Sequence, residues 1–225
     1  MTLSQRLALG ALDLVSRTLC KIDSSELDKI PRRGPLLMVS NHINILEVPI
    51  LRVRLHPRRV GGFAKSEAWQ SWWLGRLYDI FEAIPLKRGQ IDRDALRQAV
   101  ELLESGIILG VSPEGTRSGD GKLQHGKSGV VIVAQMSGAP FIPAVCYGHT
   151  NYRDYWSRLR RAPFKIAVGA PFRLRTDVKM TRSVRKAMTD EIMYQMAALL
   201  PPENRGVYSD LSNATTDYLD FDVQP

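Results

Sequence analysis

The chain has only two cysteines in 225 residues, Cys20 and Cys146. They lie far apart in apolar contexts and without metal-ligand spacing. That scarcity excludes a disulfide framework, and the two thiols read as buried side chains of a reducing compartment. Long hydrophobic runs are also missing. In "MTLSQRLALGALDLVSRTLCKI" the apolar stretch is broken by Arg6, Asp13 and Arg17, nothing reaches spanning length, and no small-residue cleavage site follows. Neither a membrane-spanning helix nor a secretory signal is expected. Internal repeats, long linkers and low-complexity segments are absent too. What is present is enough for one globular domain: 44% of the residues are hydrophobic, and a chain of 225 buries a substantial core. Lys and Arg outnumber Asp and Glu by 31 to 23, giving a net charge of +8 and a pI near 9.7. Such a balance suits an anionic partner, whether phosphate, a lipid surface or nucleic acid.

Periodicity organises the chain into three parts. Residues 1–22 carry an amphipathic helical pattern: Arg6, Gly10, Asp13 and Arg17 make a narrow polar stripe, and Leu3, Leu7, Ala11, Leu14 and Thr18 centre a wide apolar face. Such a helix either docks on the domain's own core or lies in the plane of a membrane. Residues 23–200 alternate short apolar runs with helical patterns. Strands are expected near 36–40, 60–65, 83–86, 107–112, 141–147 and 164–169, and helices near 67–81, 91–105, 127–137 and 180–200. The alternation implies an α/β fold, a single-domain mixed sheet covered by helices. The proline of "FIPAVCYG" suggests an edge strand or a strand start. Residues 201–225 are polar, acidic and unperiodic, and are expected to pack loosely or not at all.

Several polar groups fall at strand ends. His42 follows the apolar run "LLMVS" at its carboxyl end, where open α/β sheets gather ligands. Glu47 stands five residues on. Pro49 disfavours helix at Val48, so the two side chains meet most easily if the segment turns between them. The carboxylate would then accept Nδ1–H, fix the tautomer and leave Nε2 free to take a proton from a hydroxyl. The plainer alternative is a helix-capping histidine beside a solvated glutamate. "IPLKRG" places Lys87 and Arg88 after a short strand, a fork for phosphate or simply a basic turn. "VSPEGTRSGDG" gathers Glu114, Gly115, Thr116 and Arg117 in one turn, offering acceptor, hydroxyl and cation together.

Taken together, "NHINILE", "IPLKRG", "PEGTRS" and "FIPAV" resemble, in order and spacing, the four motifs of the glycerolipid acyltransferases, over about residues 34–148. The resemblance implies a bacterial-type 1-acylglycerol-3-phosphate acyltransferase. In it His42 is the catalytic base, Glu47 stands where the family has aspartate, Arg88 is the phosphate-binding arginine beside Lys87, and Glu114, Gly115, Thr116 and Arg117 form the acceptor site. Glutamate keeps the charge and adds about 1.5 Å of reach. The implied reaction uses no metal or cofactor. It takes acyl-coenzyme A or acyl carrier protein as co-substrate and a lysophospholipid as acceptor, at an anionic membrane surface on the cytoplasmic face. Association with the membrane would be peripheral or monotopic, through the first helix and the basic loop "RVRLHPRRV" at residues 52–60. Trp69, Trp72, Trp73, Tyr78 and Phe81 would line an acyl slot, sit at a lipid interface or pack in the core.

Two rival readings fit less of the chain. "GKLQHGKS" matches the phosphate-loop pattern, yet it does not follow a strand directly, and no apolar strand ends in an aspartate suited to Mg²⁺. Gly126 and Lys127 are therefore expected only to open the next helix, so Lys127 should be dispensable. The loop at 52–60 lacks the interleaved aromatics of a nucleic-acid binder, and no nucleic-acid partner is expected.

Overall fold

The computed structural model describes residues 3–87 and 92–223. Seven strands form one mixed sheet in the spatial order β1 (Cys20–Asp23), β7 (Ala162–Val168), β6 (Phe141–Tyr147), β2 (Leu36–Val39), β5 (Ile108–Val111), β3 (Val60–Lys65) and β4 (Ala83–Leu86). The five strands from β6 to β4 are parallel, β7 runs antiparallel to β6, and β1 is parallel to β7. All four residues of β2 are buried, as a strand covered on both faces requires. Leu37 and Val39 point to one layer with α4 (Arg93–Glu104), α5 (Gly129–Ser137) and α7 (Arg182–Leu199). Leu36 and Met38 point to the other, with Ile50 and Leu51 of α2 (Glu47–Arg54) and Phe164 of β7. The remaining helices are α1 (Leu3–Leu19), α3 (Trp72–Ile80) and α6 (Tyr152–Ser157).

The α/β architecture follows the pattern of the sequence, and the differences have local causes. The first helix stops at Leu19, and Cys20–Asp23 becomes a sheet strand whose alternating burial was hidden inside the helical pattern. That helix uses Leu9 and Ser16 inward and leaves Leu7, Leu14 and Val15 exposed. Pro49 does not delay α2, which begins at Glu47, because the first-turn N–H that proline lacks needs no partner. The segment at 67–81 is a 3₁₀ turn (Ser66–Gln70) followed by α3. The strand expected from 164 begins at Ala162. Pro143 lies in an inner strand rather than at an edge. It is tolerated where β7 has already ended, since the β6–β7 ladder starts at the Ala144–Val168 pair.

The C-terminal segment is packed, contrary to its composition. Buried Glu191 of α7 accepts from the Thr215 hydroxyl at 2.7 Å and from the N–H groups of Asp217 and Tyr218 at 2.9 and 3.0 Å. Buried Tyr208 donates to Asp190 and accepts from the Gly126 N–H. Gly206, at φ +55°, lies so close to the Leu123 backbone that any side chain would clash. A short ladder between β8 (Arg173–Leu174) and β9 (Leu219–Asp220) closes the segment.

Candidate active site

β2 ends at Val39, and the chain turns through 40–46 before α2 begins. Asn41 pins that turn to β6 by a reciprocal pair, its amide donating to the Cys146 carbonyl and its carbonyl accepting the Cys146 N–H, each at 2.8 Å. The turn brings His42 Nδ1 to 3.1 Å from Glu47 Oε2. Glu47 is the first residue of α2, where a carboxylate also meets the positive end of the helix. Its other oxygen, Oε1, accepts the N–H groups of Ile43 and Asn44 at 3.2 and 2.9 Å and stands 2.5 Å from Nε2 of His149.

His149 carries no role in the sequence reading, and the structure makes it the third member of a His42–Glu47–His149 chain. It is fully buried, one residue beyond Gly148 at the carboxyl end of β6, and its ring packs on Phe164. Its Nδ1 has no hydrogen-bond partner. Its Nε2 donates to Glu47, whose carboxylate oxygen can only accept. Burial pushes the Glu47 carboxyl up, but the donors from His149 and His42 outweigh it and hold the group at about 2. The ionised carboxylate can only accept, so His42 presents Nδ1–H to it.

The turn after β5 closes the site. Glu114 is buried and bridges two loops, Oε1 accepting the His42 N–H and Oε2 the Gln124 N–H, both at 3.0 Å. Ser118 N–H donates to the His42 carbonyl and Gly119 N–H to that of Ile43. Burial raises the Glu114 carboxyl to about 7, against the pull of its two backbone donors. Gly115, at φ +67°, makes the bend for which its lack of a side chain suits it. Glu114 thus positions the backbone of the base. Glu114→Ala is expected to cost about 2–4 kcal/mol of stability by orphaning two buried N–H groups and to lower activity in parallel. Urea unfolding measures the first, and an unchanged midpoint would remove Glu114 from this role.

His42 Nε2 faces outward and accepts a 3.3 Å contact from Arg117 Nε. A cleft of about 1110 Å³ adjoins Arg117, lined by Arg117, Lys122 and Lys127 together with Asp120, and by Glu203, Val207 and Ser209 of the C-terminal segment. Thr116 is exposed there. Lys127 is more than a helix opener. Its amine lies 3.0 Å from the point where a Cβ on Gly115 would stand, alongside the "PEGTRS" turn. The phosphate-loop reading fails on the same ground. Gly126 is needed for contact with Met193 and Thr189, Gly121 for contact with Thr150, and β5 ends at Val111, well before either.

Not every expected site residue converges here. Lys87 is exposed at the carboxyl end of β4, separated from β2 by β5 and β3, roughly 14 Å across the sheet at the usual strand spacing. Arg88 lies outside the described residues. Trp69 stacks on Tyr78 and donates to Asp79, while Trp72 and Trp73 point outward rather than into the core.

The chain resembles known proteins in both sequence and fold. The family model described as Acyltransferase matches residues 21–147. The chain is 25% identical over 168 residues to a 1-acyl-sn-glycerol-3-phosphate acyltransferase of Bacillus subtilis, covering 75% of this chain and 82% of that one. It is 31% identical over 134 residues to an enzyme of the same name from Limnanthes alba, covering 58% of this chain and only 47% of that longer protein. In fold it is similar to the crystal structure of the 1-acyl-sn-glycerophosphate (LPA) acyltransferase PlsC from Thermotoga maritima, with a TM-score of 0.61 at 20% identity over 87% of this chain and 79% of that one.

Proposed function

Because the chain belongs to the Acyltransferase family, we propose that it moves a fatty acyl group from an acyl thioester to the free hydroxyl of 1-acylglycerol 3-phosphate, giving phosphatidic acid for phospholipid biosynthesis. The observation that carries this reading is the His42–Glu47 pair, with Nδ1 bonded to the carboxylate and Nε2 facing Arg117, which lines the adjoining cleft. His42 Nε2 takes the proton from the acceptor hydroxyl as that oxygen attacks the thioester carbonyl. The tetrahedral intermediate collapses to the ester and expels the thiolate, which takes the proton back from His42. Glu47 stabilises the imidazolium between these steps. Holding two substrates in line supplies much of the acceleration, and the reaction as written needs no metal or cofactor.

Arg117 Nε donates to His42 Nε2 at 3.3 Å. A phosphate gives the guanidinium a stronger, bidentate partner, so acceptor binding draws Arg117 off and frees Nε2. Lys127 stands beside it as the second cation. Lys127→Ala is expected to raise the apparent KM for a phosphorylated acceptor about tenfold with little change in that for the acyl donor. A variant with an unchanged acceptor KM would return Lys127 to a purely local role, and Lys127-dependent ATP hydrolysis would favour the rival nucleotide reading. Incubating the protein with a panel of lysolipids and glycerol 3-phosphate, each with acyl-coenzyme A and acyl carrier protein, and weighing the products identifies acceptor and donor. Glycerol 3-phosphate or another lysolipid is the alternative acceptor.

The same reading places the enzyme at the cytoplasmic face of a membrane, peripherally or monotopically. Among the described residues no helix is long and apolar enough to cross a bilayer. Truncation is a poor test of such an anchor, since α1 is braced on α2 by the Asp13–Arg54 ion pair and buries Leu9.

A further inference from the structure

We propose that the carboxyl-end rim of the sheet is a docking face for an anionic bilayer, with Leu159 as its inserting tip and Arg158 and Arg160 as its contacts to head groups. The proposal deepens the lipid-acceptor reading, because an acceptor resident in a bilayer would enter the cleft across this rim. Topology places the tip there. β6 ends at Tyr147, and the Tyr147–Lys165 pairing sets the first residues of β7 beyond that end. β1 begins at Cys20, opposite Ala162. The turn between α6 and β7, and the last residue of α1, therefore stand on the same edge as His42, Glu47 and His149.

Leu159 is 98% exposed and adopts φ +52°, a left-handed conformation that suits glycine or asparagine and strains a leucine. A large apolar side chain is thus held outward in a disfavoured backbone state, with negligible burial against the protein in return. The turn is firmly made, with Leu159 N–H donating to the Trp156 carbonyl at 3.0 Å and Arg160 N–H to that of Tyr155 at 2.8 Å. It is braced on α1 as well. Trp156 Nε1 donates to the Leu19 carbonyl, and the Arg161 guanidinium donates twice to that of Cys20. Leu14 and Val15 of α1 are exposed as well. Ile45 and Val48 flank Glu47 on the same rim, and Trp72, 81% exposed, stands with Trp73 where the chain leaves β3.

The cations settle which charges serve this face. The loop at 52–60 was the sequence's candidate, but each of its arginines is already paired within the protein, Arg59 in a half-exposed ion pair. Arg52 is buried and donates to the Arg58 carbonyl, Arg54 pairs with Asp13, Arg58 donates to the carbonyls of Pro31 and Gly34, and Arg59 pairs with Glu82. Arg158 and Arg160 are exposed on either side of Leu159. An apolar tip between two guanidiniums matches the boundary between acyl chains and anionic head groups. It is a poor match for a second protein, which would need a flat apolar patch.

Sedimentation of the full chain with vesicles of phosphatidylcholine, with and without phosphatidylglycerol, tests the proposal. Leu159→Asp is expected to weaken partitioning onto the anionic vesicles at least about tenfold. The Arg158→Ala, Arg160→Ala double variant should lose the preference for anionic vesicles and its salt sensitivity. Both should keep wild-type turnover with a short-chain, micelle-free acceptor, since none of the three residues lines the cleft. Wild-type partitioning by Leu159→Asp overturns the proposal. So does the absence of vesicle binding by the wild type, a loss confined to Trp72→Ser, Trp73→Ser, or self-association that Leu159→Asp abolishes. If the rim binds vesicles as expected while no lysolipid in the panel is acylated, the proposed function falls and the docking face stands.

Discussion

Replacing His42 with Ala is expected to lower acyl transfer by about 10³-fold or more, the usual worth of a positioned base, while the protein stays folded. The ring is not a core side chain, being 21% exposed, and its backbone N–H and carbonyl stay bonded to Glu114 and Ser118. What the fold loses is one hydrogen bond to Glu47, about 1 kcal/mol, and water can enter from the open side to replace it. A chemical denaturation midpoint near the wild-type value, together with turnover at background, is the expected pair of results. Near-normal turnover would sink the mechanism. A variant that is inactive and also unfolded would show that His42 holds the 40–46 turn rather than doing chemistry.

The pairing of His42 with Glu47 was legible because its signal is local. A strand's carboxyl end, a histidine and an acid five residues away need only a turn between them, and the turn forms. The parallel core was legible for a similar reason, since buried strands such as "LLMV" are continuous apolar runs. His149 was missed although it carries the positional signal that singled out His42, a histidine just past a strand end in a chain with four histidines. Its partner lies 102 residues away, and that distance in sequence closes only when β6 is laid against β2. The position of Lys127 beside the "PEGTRS" turn was hidden for the opposite reason. A local pattern, G-x-x-x-x-G-K-S, offered a nucleotide role, and setting that role aside took the lysine with it.

Composition misled where a few buried polar contacts outweigh a polar average. The segment after Pro201 reads as solvated, yet one glutamate on α7 collects a hydroxyl and two backbone N–H groups from it, and Tyr208 and Leu219 are buried. The arginines at 52–59 read as a surface charge run and are instead paired with carbonyls and acids of the fold, Arg59 doing so from a half-exposed position. Neither outcome is visible in a residue count, because each depends on partners brought in from other elements.

Glu47 is where the sequence departs from the family's aspartate, and the structure changes what its variants should do. Charge retention alone predicts that Asp would serve well and Gln badly. The carboxylate, however, spans two histidines, with Oε2 on His42 and Oε1 on His149 and two backbone N–H groups. An aspartate, shorter by about 1.5 Å, cannot keep both ends from the same position in α2. Glu47→Gln is expected to cost about 10³-fold in turnover, since an amide cannot stabilise the imidazolium. Glu47→Asp should cost about 10- to 100-fold through misplacement of His42. His149→Leu should lie near the Asp variant, and His149→Gln, which keeps a donor, should recover part of the loss. Because the Asp variant has already released His149, adding His149→Leu to it should cost little more than Glu47→Asp alone, a non-additivity that a double-mutant cycle measures. Additive losses would show that His149 acts elsewhere. A stability arm gives an independent check. The Glu47 carboxyl is held at about 2, below its unfolded value near 4.5, so it contributes stability that is complete above the unfolded value and is lost as pH falls from there toward 2. Glu47→Gln should flatten that part of the acid-unfolding curve, and an unaltered slope would mean that the carboxylate's network does not hold this end of the fold.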